Sequence, residues 1–160
     1  MFNLFLITHI GAGFICLVSG VVAMASRKKK GNHTLSGEIY HWSYVAVFIT
    51  AVVMAIMHWE ESAYLFYIGV FSYSLVLLGY AASKKRWKNW LGSHIGGMLG
   101  SYIGIVTATI VVNISKVPLL NELPILLFWL LPSIIGTPVI FLTGRKYKPK
   151  KKLNRAKVNV

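Results

Sequence analysis

Five long apolar runs limit what this chain can fold into more than any other feature. They cover about Phe2–Ala25, Ile39–Trp59, Ala63–Ala82, Trp90–Ile114 and Leu123–Leu142. Each holds roughly 20–25 residues, which at about 1.5 Å per residue crosses a hydrocarbon core about 30 Å thick. In lipid every main-chain N–H and C=O must find its partner within the chain. A continuous apolar run achieves this as a helix, whereas a barrel strand would alternate apolar and polar residues. The reading is an all-α integral membrane bundle of five transmembrane helices over residues 1–144, followed by a basic tail over 145–160. The chain has 160 residues, so five spans leave no room for a second domain. The first run is too long for the apolar part of a signal peptide and lacks a basic leader, so it is read as a retained helix. The short connections predict that consecutive helices are antiparallel neighbours.

Charge then sets an expected orientation. The chain carries 17 Lys and Arg against 4 Asp and Glu, a net charge of +13, although only 13% of its residues are charged and 56% are hydrophobic. Sixteen of the 17 basic residues fall on three alternate connections: Arg27–Lys30, Lys84–Lys88 and the tail from Arg145. The other connections hold Lys116 with Glu60, Glu61 and Glu122. Cytoplasmic loops are enriched in Lys and Arg, so the N-terminus is expected outside the cell membrane and the C-terminus inside. Topology alone accounts for the basic tail, which argues against a nucleic-acid partner; the expected partner is the lipid bilayer, with the tail on anionic headgroups. The one cysteine, Cys16, lies within the first run, so no intrachain disulfide can form.

Helix faces follow from spacing. Gly92, Gly96, Gly100 and Gly104 recur every four residues, a small-residue stripe for close helix packing, whether with a neighbouring helix, another protein or a second copy of the chain. His9, Gly13, Cys16 and Gly20 share a face of the first helix. Tyr73 and Tyr80, seven apart, share a face of the third, where such groups act as interhelical glue or interfacial anchors. Pro132 and Pro138 each remove a donor from the fifth helix and are expected to kink it or open it locally.

Five histidines in so apolar a chain are its most informative polar residues, because ionisable groups within membrane spans are costly and often functional. His9 lies ~25 Å and His58 ~28 Å above the inner ends of their runs, whereas His41 lies ~3 Å and His94 ~6 Å above theirs. His33 precedes the second run on the inner side. An outer pair (His9, His58) and an inner set (His33, His41, His94) would suit b-type haem held by opposing imidazoles at each face. Gly13 near His9, and Gly96 and Gly97 near His94, would leave room for a porphyrin edge. The inner set also admits a zinc or other transition-metal ion on His33, His41, His94 and Glu38. The bland alternatives are an interfacial role for His58 and His41, and a loop or helix-entry role for His33, with Thr34 or Ser36 as the cap and Glu38 near the positive helix end. Glu60 and Glu61 read as a solvated turn. No metalloprotease motif, paired cysteines, nucleophile elbow, phosphate loop or dinucleotide fingerprint occurs, and the sequence does not settle whether the chain is an enzyme.

Several short motifs resemble the small bacterial membrane proteins of the domain-of-unknown-function 2306 family. They are His9-Ile-Gly, His33-x-x-x-Gly37-x-x-Tyr40, His94-x-x-x-Met98 with Ser101-Tyr102, and Trp129-x-x-Pro132 with Gly136-Thr137-Pro138. Family members often carry arginine where this chain has Thr34 and Gly100. The resemblance implies no established activity. It directs attention to His9, His33 and His94 rather than His58, and so gives a single inner His33/His94 site equal standing with a two-haem scheme. Three functions remain open from sequence: a haem b electron-transfer protein, a small transporter, channel or metal-binding protein, and an assembly protein that packs through its glycine stripe.

Overall fold

A computed structural model describes residues 1–118 and 123–147. The chain is an all-α bundle of five helices: α1 (Phe2–Ala25), α2 (Asn32–Met57), α3 (Trp59–Lys85), α4 (Trp90–Asn113) and α5 (Ile125–Tyr147), with a short 3-10 turn at Ile114–Lys116. Each of the five is long and apolar enough to cross a membrane. Glu122 and residues 148–160, which include most of the expected basic tail, lie outside the described residues.

The helices exceed the apolar runs at polar ends. α2 begins seven residues before Ile39, so His33 sits in its first turn, and Thr34 and Ser36 lie inside the helix and do not cap it. Gly31, at φ 117°, is the N-cap, without a side-chain hydrogen bond. α3 begins at Trp59, which puts Glu60 and Glu61 in its first turn beside the positive helix end, not in a solvated turn. α5 is continuous through Pro132 and Pro138 and runs to Tyr147, placing Arg145 and Lys146 in its last turn. Hydropathy marks the part of a helix that sits in hydrocarbon; the helix itself continues into the headgroup layer, where charged side chains are solvated.

Consecutive helices pack side by side, and α1 also touches α4, so α1–α4 close a four-helix ring. The backbone of α5 packs on α4 alone. Side-chain contacts show which ends lie together. His33 of α2 meets His94 of α4, Glu38 of α2 pairs with Lys84 of α3 at 2.6 Å, and Lys28 lies within electrostatic reach of Lys146. This is the basic end of the bundle. At the far end Phe2 packs on His58 and Tyr64 on Trp129. The C-termini of α1, α3 and α5 all reach the basic end, where lysine and arginine complement the negative helix ends. Lys28 donates to the carbonyls of Ala23 and Met24 at 2.9 and 2.7 Å, satisfying two of the four that close α1.

The centre is formed by Cys16, Tyr40, Tyr44, Val47, Val76 and Ile105. Its polar atoms are paired, as a bilayer demands. Tyr40 donates to Ser101 Oγ at 2.9 Å, Ser101 passes its own proton to Met98 O at 2.9 Å, and Tyr44 donates to Ser101 O at 3.2 Å. Between α2 and α3 two aromatic stacks repeat at the same spacing. His41 lies flat on Tyr80 (3.8 Å between centroids, 5° between planes), and Phe48 lies on Tyr73 (4.4 Å, 11°). Tyr73 and Tyr80 thus both serve as interhelical contacts.

The closest helix approach falls on a glycine beside the four-residue stripe. A Cβ on Gly97 would lie 2.6 Å from both Gly79 N and Leu75 O of α3, whereas at Gly92 or Gly96 it would meet nothing within 4 Å. Gly100 and Gly104 face Leu75 and Ser72 of α3.

Candidate functional site

The five histidines sort into one ring pair and three separate settings. His33 comes from the first turn of α2 and His94 from the second turn of α4, with centroids 6.3 Å apart and planes at 89°. His33 Nδ1 bonds Ala23 O and His94 Nδ1 bonds Gly79 O, both at 2.9 Å. A carbonyl oxygen only accepts, so each Nδ1 carries the hydrogen, and the neutral ring keeps its lone pair on Nε2. This is how ligating histidines are usually held: one nitrogen is fixed by a main-chain acceptor and the other is left for the metal. Two packed helices supply those acceptors, so the orientation of both rings is set by the bundle.

His9 is held in the same way but alone. Its Nδ1 is shared between Val47 O at 3.2 Å and Thr50 Oγ1 at 2.9 Å. The Thr50 hydroxyl donates to Ala46 O at 2.7 Å and so acts as an acceptor toward His9. His58, the expected outer partner, is the turn residue between α2 and α3, and its ring packs on Phe2 at 4.7 Å. Phe2 is seven residues, about 10 Å, from His9 along α1. Among the described residues, the ring contact between two histidines is the one at the basic end.

The four-residue zinc set is not assembled. Among the described residues, no three or more of His, Cys, Asp and Glu come together in a way that could hold a metal ion. The reason is helix facing. His33 turns to Ala23 of α1 and meets His94, whereas Glu38 and His41 are taken up by Lys84 and Tyr80 of α3. Glu38 is occupied by Tyr80 OH at 2.8 Å and Lys84 at 2.6 Å, and His41 is stacked on Tyr80 with Nδ1 buried and unbonded. The space expected at Gly97 for a porphyrin edge is filled by Gly79, and Gly96 lies on a different, open face of α4; Gly13 is open as well.

The surroundings of the pair are cationic. Lys28 lies within electrostatic reach of His94. Partial loss of hydration, and then repulsion from Lys146, lower its proton affinity below that of an ordinary lysine. Arg27, Lys29 and Lys30 are exposed nearby in the same connection.

Sequence reasoning missed Tyr40, Ser101 and Thr50 as the polar centre of the bundle. Tyr40 and Tyr44, four apart on one face, were the available signal. Thr50 is the only polar residue between Tyr44 and His58. The chain matches no family model, no curated protein and no solved structure.

Proposed function

We propose that this chain is a multi-pass integral membrane protein that binds haem b at its basic end, with His33 and His94 as axial ligands, and serves electron transfer at the membrane. The observation that carries this reading is the ring pair: two imidazoles from different helices, 6.3 Å apart, each tied through Nδ1 to a main-chain carbonyl. A haem iron would need only two side-chain ligands, which His33 and His94 would supply. The basic surroundings favour the same group, since they repel a bare dication and suit the two carboxylates of a haem. When bound, haem supplies one-electron chemistry; the chain's part is to hold both rings and to balance charge. The orientation with the N-terminus outside belongs to this proposal, and so does membership of the domain-of-unknown-function 2306 family. A profile built from relatives of this chain that failed to align His33 and His94 would count against that membership.

The test is the absorption spectrum of the full chain purified with haem supplied. The expected result is a Soret band that shifts on reduction, lost in His33→Ala and in His94→Ala and kept in His58→Ala, with helical content and elution volume unchanged. A wild-type protein without the band, or a band that survives both substitutions, overturns the proposal. Zinc at one ion per chain in place of haem would also overturn it, in favour of the metal-binding reading.

A further inference from the structure

α1 meets α4 along a sparse seam, which leaves an open apolar groove of about 360 Å³ walled by Leu17, Val18, Val21, Val22 and Tyr102. Tyr102 defines one side. Its ring lies over Gly20, where an added Cβ would come within 2.6 Å of it, and its hydroxyl donates to Leu17 O at 3.3 Å. The wall is therefore tied to both helices. Along α1 the groove lies between ~5 and ~12 Å from the helix end at Ala25, the depth of acyl chains in the leaflet at the basic end.

One turn beyond Val22 the surface changes from apolar to cationic. A second, polar hollow of about 170 Å³ is lined by Ser26, Arg27, Lys29, Lys30 and Asn32. Lys28 is excluded from it by its bonds to Ala23 O and Met24 O, whereas Arg27, Lys29 and Lys30 are exposed. An apolar channel that ends in a cluster of cations matches a ligand with a hydrocarbon tail and a negative head. We infer that the α1–α4 groove and the Ser26–Asn32 hollow together form a binding site for one anionic phospholipid, its acyl chain against Val18, Val21 and Tyr102 and its phosphate among Arg27, Lys29 and Lys30. Basic clusters beside a membrane helix attract anionic headgroups from the whole leaflet; the adjoining groove is what turns attraction into a seat. This inference is independent of the haem reading.

Native mass spectrometry of the full chain tests it, with phosphatidylglycerol and phosphatidylcholine of equal chain length added in equal amounts. Phosphatidylglycerol should be retained about tenfold or more over phosphatidylcholine, since each basic side chain near a headgroup contributes about fivefold. The variant R27Q/K29Q/K30Q should reduce that preference to within about twofold. The variant K85Q/K88Q, which removes charge elsewhere at the same end, should keep it. Val18→Trp should lose the adduct, while Ile7→Trp, at an exposed position on the far half of α1, should retain it. Equal retention of the two lipids overturns the inference. So does equal loss of preference in the two charge variants, which would mark a diffuse surface effect, and so does an adduct that survives Val18→Trp.

Discussion

Gly97→Leu should abolish or severely weaken the folded bundle, lowering stability in detergent by at least about 3 kcal/mol, as read from its unfolding midpoint in a denaturing detergent titration. A Cβ at this position is aimed at main-chain atoms, Gly79 N and Leu75 O at 2.6 Å, and main chain inside a helix has no rotamer to yield. Small residues let helices approach in lipid, where van der Waals packing and hydrogen bonds replace the hydrophobic drive. Forcing α3 and α4 apart also pulls on Gly79 O, the acceptor that orients His94, so the same variant should lose whatever the histidine pair binds. Gly96→Leu is the matched control, one residue earlier on an open face, and should stay within about 0.5 kcal/mol of the parent. Gly96 belongs to the stripe proposed for docking another membrane helix, so an unchanged oligomeric state in Gly96→Leu would argue against the assembly reading.

Tyr40→Ala should cost about 3–5 kcal/mol, and Tyr40→Phe only about 1 kcal/mol. Tyr40 is 2% exposed and joins its own helix to two others, α1 and α4, through one side chain. The ring lies 5.6 Å from Tyr44 and 6.3 Å from Tyr102, its edge reaches the Gly20 backbone, and its hydroxyl bonds Ser101. Truncation to alanine opens a cavity where α1, α2 and α4 converge. Phenylalanine keeps the volume and removes one hydrogen bond, and Ser101 is not stranded because it still donates to Met98 O. Two unfolding curves measured side by side separate the contributions of packing and pairing. Equal losses in the two variants would show that the hydrogen bond, and not the ring, holds this centre.

The number and type of helices were legible because lipid leaves the backbone one local solution, and the apolar runs record it directly. Helix ends were less legible. α2 and α3 extend several residues into polar sequence at Asn32–Glu38 and Trp59–Ser62, where hydropathy says nothing about backbone conformation. The basic residues Arg27–Lys30, Lys84–Lys88 and Arg145–Lys146 lie at one end of the described bundle, but the histidine levels followed only in part from counting residues along each run, since His9 stands about 10 Å along α1 from Phe2, the residue on which His58 packs. Lateral direction did not follow, because height in a membrane is one coordinate and helix rotation is another. His41 stands eight residues, about 12 Å, beyond His33 along α2 and turns to Tyr80, while His33 and His94 meet. The glycine pattern shows the same limit. Four-residue spacing identified Gly100 and Gly104, which do face α3, but the closest main-chain contact is made by Gly97, whose partner Gly79 stands on another helix and has no mark in the α4 sequence. The pairing of Tyr40 with Ser101 was hidden for a related reason, since the motifs that contain them are separate in sequence and only the helices bring them within 2.9 Å.

The paired stacks between α2 and α3 have a mechanical consequence. His41 on Tyr80 and Phe48 on Tyr73 stand seven residues apart on both helices, like two rungs bolted at equal intervals. Sliding one helix past the other by a single turn, about 5.4 Å, would unseat both rungs at once. Tilting about the rungs preserves them. Axial sliding is therefore resisted between α2 and α3, and the thinner joints among the described residues are the α1–α4 seam and α5, whose backbone packs on α4 and whose Trp129 meets Tyr64 of α3.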